Sequence, residues 1–293
     1  MLKRQLLALI INTLAVMPGA FGLEQNIVET HFPGNSALTS GKEPLVRWIY
    51  GLSIGAYFAN PSTANYYNGT GEHNVETALN RQHNRDRLIA NVDEIIETFE
   101  VGELPLNMRY DPGILIGFFG GMQFSKSFTV IGEFNYSRLS VADKFTLITD
   151  KFTSTSEPYR LLSDIYASEE RIDLRLGFQY TWYRDAYIHP FIESGLSITD
   201  TKVLENRVNI RGMEFNIREI RTEYYNVRDY GMGFGLYTGV GLNMEVSEGF
   251  SFRMGGAVSF SMINLGDNNE IKPQYTIFLR LNLHEILSGA FQP

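Results

Sequence analysis

Eight ionisable residues stand where they could do chemistry together: Arg47, Glu133, Asp173, Arg175, Glu193, Glu245, Arg253 and Arg280. Each lies at an alternate position of a stretch whose other face is apolar, so all eight share one face of their segments. Paired carboxylates can act as acid and base. Carboxylates set among arginines neutralise them instead, and buried charges are tolerable only when paired. The expected role of this set is an ion-pair network stapling an interior, with Glu133 and Arg175 as the leading pair. Arg253 and Arg280 then need Glu193, Glu245 or water as partners.

The remaining reactive residue types form no recognisable site. The histidines are His31, His73, His83, His189 and His284. None falls in a catalytic-triad or metal-ligand pattern, and His73 and His83 stand ten residues apart. Gly231-Met232-Gly233-Phe234-Gly235 has a nucleotide-loop spelling, but its glycines fall on one face of a strand pattern and open no helix. Asp267-Asn268-Asn269-Glu270 is a polar turn before it is a calcium loop, and Asn68-Gly69-Thr70 matches a glycosylation sequon that means little by itself. With no cysteine, thiol catalysis, zinc–thiolate sites, disulfides and N-terminal lipid attachment are excluded. No cofactor, no metal and no enzymatic activity are expected.

The elements that hold these residues are strands. From Leu45 to about residue 285 the chain repeats one pattern eight times: about a dozen residues of period-2 alternation, then a break. Val46, Trp48, Tyr50, Leu52 and Ile54 alternate with Arg47, Ile49, Gly51 and Ser53. In the clearest segment Ile172, Leu174, Leu176, Phe178, Tyr180 and Trp182 alternate with Asp173, Arg175, Gly177, Gln179 and Thr181. The other six begin near residues 114, 128, 188, 232, 250 and 275. Three breaks are tight hairpins, around 125–127, 184–186 and 247–249. The others are long polar stretches at 60–112, 141–170, 200–230 and 264–273. Short turns at one rim and long loops at the other is the arrangement of an outer-membrane barrel, short turns facing the periplasm.

Composition agrees. Apolar residues make up 44% of the chain, yet after the N-terminus no run approaches the ~20 needed for a spanning helix. The formal net charge of −8 argues against nucleic acid. Residues 1–22 have the layout of a secretory signal peptide: Lys3 and Arg4, the apolar run Leu6 to Met17, then Pro18 to Gly22. Cleavage would leave a periplasmic segment at 23–44, the barrel at 45–285 and a tail at 286–293.

Over 45–285 the pattern resembles the OmpA- and OmpX-type eight-stranded outer-membrane barrels. The resemblance implies an all-β, antiparallel, up-and-down transmembrane barrel with long extracellular loops, and little chemistry. The first loop, with Asn65-Tyr66-Tyr67-Asn68-Gly69-Thr70-Gly71, is similar in style to barrels from the Bacteroidota, which implies attachment to a secretion or motility assembly. Barrels of this kind often end on an aromatic residue, whereas here His284 to Pro293 follow the last strand.

A soluble lipocalin-like ligand carrier has the same alternation with its apolar face turned inward. Lysine distinguishes the two, because water-facing strands carry it and all seven lysines here fall outside the strand cores. Trp48, Tyr50, Phe128, Tyr180 and Trp182 gather near the short-turn rim, where an aromatic girdle belongs. The lipid-facing barrel is therefore the expectation. Residues 74–99 are compatible with a helix whose apolar stripe is Leu88, Ile89, Val92, Ile95, Ile96 and Phe99. That stripe either caps the barrel or docks another surface protein, and Tyr66, Tyr67, Tyr224 and Tyr225 suit both roles. The function expected is non-catalytic: a subunit of an outer-membrane assembly or a loop-mediated binder, with outer-membrane lipid and a surface protein as partners. A narrow channel and a lipid-modifying enzyme are the alternatives.

Overall fold

Alternation of apolar with small or charged residues closes, in the computed structural model, into a ring of strands. Described are residues 47–71, 74–93, 97–154, 156–183, 187–217, 230–247, 250–266 and 269–282. The signal segment, the 23–44 segment, the 286–293 tail and the turn at 184–186 lie outside the described residues. The strands are β1 (Arg47–Phe58), β2 (Phe99–Val101), β3 (Gly113–Gln123), β4 (Phe128–Phe152), β5 (Pro158–Thr181), β6 (Ile188–Ile210), β7 (Met213–Asn216), β8 (Tyr230–Ser247), β9 (Phe250–Ile263) and β10 (Ile271–Asn282). Eight of them pair antiparallel in the cycle β1-β3-β4-β5-β6-β8-β9-β10 and back to β1; β2 and β7 add to β4 and β6 outside the ring.

The register fixes the tilt. Following cross-strand partners from Trp48 through Met122, Val130, Phe178, Ser194, Thr238, Val258 and Tyr275 returns to β1 at Phe58, ten residues further on. Such a stagger requires strands inclined to the barrel axis. Inside so narrow a ring close approach is obligatory. A Cβ on Gly51 would lie 1.8 Å from the Leu281 carbonyl oxygen and 2.8 Å from Cζ of Phe119, so glycine makes room for that ring.

Over one zone the outer face is apolar and exposed: Trp48, Leu52 and Ile54 on β1, Ile116 and Phe118 on β3, Leu174, Leu176 and Phe178 on β5, Leu196 on β6, Phe234 and Val240 on β8, Ile277 and Leu279 on β10. From Ile172 to Trp182 this zone is about eleven residues deep, the length a tilted strand needs to cross a bilayer. A water-soluble carrier would turn this face inward, so that alternative is corrected: the apolar side chains point out and the polar ones in. A closed, edge-free ring with a lipid-facing belt is a transmembrane barrel of the outer-membrane kind. Among the described residues no helix is long and apolar enough to cross a membrane.

Two of the expected long loops are strand. β4 and β5 run on to Phe152 and from Pro158, and β6 runs on to Ile210, where loops at 141–170 and 200–230 were expected. Beyond the belt the sidedness of the sheet inverts. The inner face of β4 is polar at Glu133, Asn135 and Ser137, then apolar at Leu139, Val141, Phe145 and Leu147. Its outer face changes the other way, from Phe134 and Tyr136 to Arg138, Ser140 and Lys144. β5 inverts likewise, with Leu161, Ile165 and Ala167 inward, and β6 keeps step through an extra residue at Leu204, opposite the Ser168–Glu169 step. A surface leaving lipid for water must exchange its apolar face in this way. Lys144, Lys151, Lys202 and Lys272 lie within strands, but in or near this outer part.

The first loop fills the inner face. It forms α1 (Pro61–Ala64), a 3-10 turn (Asn65–Tyr67), α2 (Val75–Leu79), α3 (Gln82–Asn91) and β2, in place of one helix over 74–99. Asn60 and Asn74 cap α1 and α2 through their side-chain oxygens, at 3.0 Å from the Ser62 and Thr77 amides. Ala64, Tyr67, Val75, Ala78, Leu79, Leu88, Val92, Phe99 and Met108 pack with the inward residues of β4, β5 and β6 into one core. The stripe Leu88, Val92 and Phe99 is thus spent internally; Ile95 and Ile96 lie outside the described residues.

Candidate functional site

The lumen within the belt holds a cross-barrel ion network. Arg280 of β10 donates to Glu133 of β4 through Nε and Nη2 (both 3.0 Å) and to Glu193 of β6 through Nη1 (2.5 Å) and Nη2 (2.9 Å). Its guanidinium lies 3.9 Å from the centre of the Phe278 ring. Arg175 donates from Nε to Asp173 (2.6 Å) and from Nη2 to Thr276 Oγ1 (3.1 Å), while Thr199 holds the other oxygen of Asp173 (3.1 Å). All five charged side chains are buried, so pairing is obligatory.

Glu133 and Arg175, expected to pair first, stand in register on β4 and β5 but approach only to 3.8 Å, each having a nearer partner. Arg253, also buried, bonds the neutral amide of Gln179 (3.1 Å) instead of a carboxylate. Arg47 and Glu245 face inward but are exposed at the periplasmic rim, Glu245 lying 3.9 Å from Nε2 of His189. They are corrected from interior to rim: each lies at the periplasmic end of its strand, and water reaches both. At the same rim, on the outside, Trp48 is exposed, Tyr180 and Trp182 meet edge to face at 5.2 Å, and Phe128 stacks on Phe178 at 5.7 Å; Tyr50 is half-buried.

A second network, which sequence reasoning missed, closes the outer end. Arg171 donates from Nε to Glu169 (2.6 Å), from Nη1 to Tyr57 Oη (3.2 Å) and from Nη2 to Thr63 Oγ1 (2.9 Å). The other oxygen of Glu169 accepts from Tyr67 (2.5 Å) and Tyr110 (3.0 Å), both from the first loop. Burial, and then the charge of Glu169, push both tyrosine hydroxyls well above their ordinary range, so they stay protonated donors. The available signal was the alternation continuing through Glu169 and Arg171 beyond the apolar belt. Two networks of buried charge, with Ile131, Phe119, Phe191, Tyr237 and Phe278 filling the space around the lower one, leave a packed lumen.

No family model matches the chain, and no curated protein matches its sequence. Among solved structures it is similar to Neisserial surface protein A, at 8% identity and TM-score 0.40, over 82% of this chain and 97% of that one. It is similar to the outer membrane protein OprG from Pseudomonas aeruginosa at 9% identity and TM-score 0.34, over 81% and 91%. It is also similar to Ail, the attachment invasion locus protein of Yersinia pestis, in complex with the heparin analogue sucrose octasulfate, at 10% identity and TM-score 0.33, over 81% and 98%. At these identities the likeness carries nothing chemical; the closed ring of strand pairings is what defines the barrel.

Proposed function

We propose that this chain is a non-catalytic bacterial outer-membrane protein, of the OmpA and OmpX type in architecture, that presents a folded extracellular lobe to a surface partner or assembly. The observation that carries the reading is the continuation of β4, β5 and β6 beyond the belt into a lobe with its own core. A barrel serving only as an anchor would turn at the lipid boundary; this one spends some forty further residues on a rigid display, where binding usually resides.

The packed lumen speaks against a narrow channel. A lipid-modifying enzyme of the outer rim needs an acid–base set there, whereas the one histidine buried among the described residues, His189, lies at the opposite, periplasmic end. Because the apolar stripe of the first loop is internal, a partner would meet the convex face of the lobe, where Leu162 (59% exposed) and Tyr166 (38%) stand. Mild-detergent extraction from outer membranes tests this. The expected result is one protein co-purifying at near-equal amount with the native chain and lost with Leu162→Arg plus Tyr166→Ser. A lone barrel that gives discrete conductance steps would move the assignment to a channel.

A further inference from the structure

Below the ion network, three inward residues follow one another in a single cross-strand row: His189 on β6, Asn243 on β8 and Arg253 on β9. All three are more than nine-tenths buried, at 4%, 3% and 6% exposure. Each carries a buried polar atom without a hydrogen-bond partner among the described residues: Nδ1 of His189, Oδ1 of Asn243 and Nε of Arg253. Glu245 is turned to the other nitrogen of His189, and the Tyr183 ring covers the imidazole at 4.4 Å.

Among the described residues the charge of Arg253 has no counter-ion in contact. Its cross-strand neighbour on β10 is Arg280, a like charge placed directly opposite. Glu133 and Glu193 are both engaged by Arg280, and Asp173 is engaged by Arg175 and Thr199. Arg253 is left with the amide oxygen of Gln179 and, with the Asn282 amide turned to suit the network, that of Asn282 (3.2 Å). A buried guanidinium satisfied by neutral amides alone is costly, and an unpaired N–H beside it adds to the cost. Water could satisfy the hydrogen bond but not the charge.

We propose that the periplasmic end of the lumen binds a carboxylate, held at Nε of Arg253 and at His189 in its Nδ1–H tautomer, with Asn243 lining the row between them. The end of the lumen nearest this row is the short-turn rim, where Arg47 and Tyr183 are exposed. The carboxylate is either a free small acid or the C-terminal end of a peptide reaching in from the periplasm.

The test uses the full chain folded in detergent, with unfolding temperature as the readout. The probes are acetate, a short neutral peptide with a free C-terminus, the same peptide amidated, and perchlorate at matched ionic strength. Acetate is expected to raise the midpoint saturably, by about 5 °C at a hundredfold excess over Kd, and perchlorate to do so no more than ionic strength does. A larger, tighter shift with the free peptide than with acetate, absent with its amide, identifies a peptide end; equal shifts identify a free acid. Arg253→Gln should abolish the response. Should that variant fail to fold, the native chain still decides through the contrast between acetate and perchlorate. No saturable carboxylate effect, or an equal effect in a folded Arg253→Gln chain, means that the row holds only water and overturns the proposal.

Discussion

Arg280 and Glu193 meet across the lumen: β10 and β6 are separated by β9 and β8 in the ring, yet their side chains share two hydrogen bonds of 2.5 and 2.9 Å. Glu133, on the far side through β1 and β3, takes the remaining donors. One guanidinium thus ties three strands that do not touch through their backbones. Replacing it by an apolar residue strands two carboxylates in a dry interior. Arg280→Met should cost about 3–5 kcal/mol, read as a lower urea midpoint in detergent. Adding Glu133→Gln and Glu193→Gln should restore much of the loss, because the cost lies in the unpaired charges. A single variant as resistant as the native barrel would mean that ring closure alone holds the structure.

The belt and the lobe should respond oppositely to the same substitution. Leu176 and Leu162 are both outward on β5, with exposures of 61% and 59%. Leu176 lies within the apolar zone and Leu162 ten residues beyond its outer edge at Ile172. Arginine at the bilayer midplane of a barrel costs about 2–4 kcal/mol and little outside it. Leu176→Arg should therefore reduce stability in phospholipid vesicles by that order, while Leu162→Arg leaves it unchanged. Equal effects would place the membrane boundary elsewhere.

That boundary also marks how far the amino-acid pattern could be read. All eight ring strands follow from period-2 alternation, because in lipid one face must be apolar and in a narrow lumen the other must be small or paired. The continuation of β4 through Val141, Phe145 and Leu147 was read as loop, since the apolar residues change to the opposite parity from Val130 and Phe134 and the template expects one parity throughout. The charged set was legible as a set but not as pairs. Arg280 reaches strands three places away on either side, and alternation says only which residues face the lumen, not how far an arginine extends across it. Glu169 and Arg171 were overlooked for the same reason as the lobe.

Conductance gives a direct check on the packed lumen. Phe119 lies beneath the guanidinium groups of both Arg253 and Arg280, at 5.8 and 5.9 Å, and is 2% exposed, so its ring occupies the lumen at that layer. In planar bilayers the native chain should show no discrete steps. Phe119→Ala removes the ring and opens room beside charged groups that water can enter, so small, cation- or anion-selective steps are expected of that variant alone. Steps of the native chain would contradict the layer.

The first loop should come away when its polar latch is cut. Glu169 accepts from Tyr67 and Tyr110 of the loop and from Arg171 of the barrel, and all four are largely buried. In Glu169→Ala the guanidinium and two hydroxyls lose their acceptor together, so the loop should be cut by added protease on intact cells while the heat-modifiable mobility of the barrel persists. The same latch carries a pH signature. Both tyrosines are raised above the ordinary value of 10.0 in the folded state. Their favourable state is the protonated one, so the stability they lend is fully present below about pH 10 and is lost as pH rises through the higher folded values. A spectrophotometric titration should find Tyr67 and Tyr110 among the tyrosines that ionise only after the exposed ones, and those two only as the loop becomes protease-sensitive. Glu169→Gln keeps an acceptor but removes the charge, so it should bring those two ionisations to lower pH with the loop still closed at neutrality. If all tyrosines titrate together in the native chain, the latch is open in solution and the lobe is not the rigid surface described above.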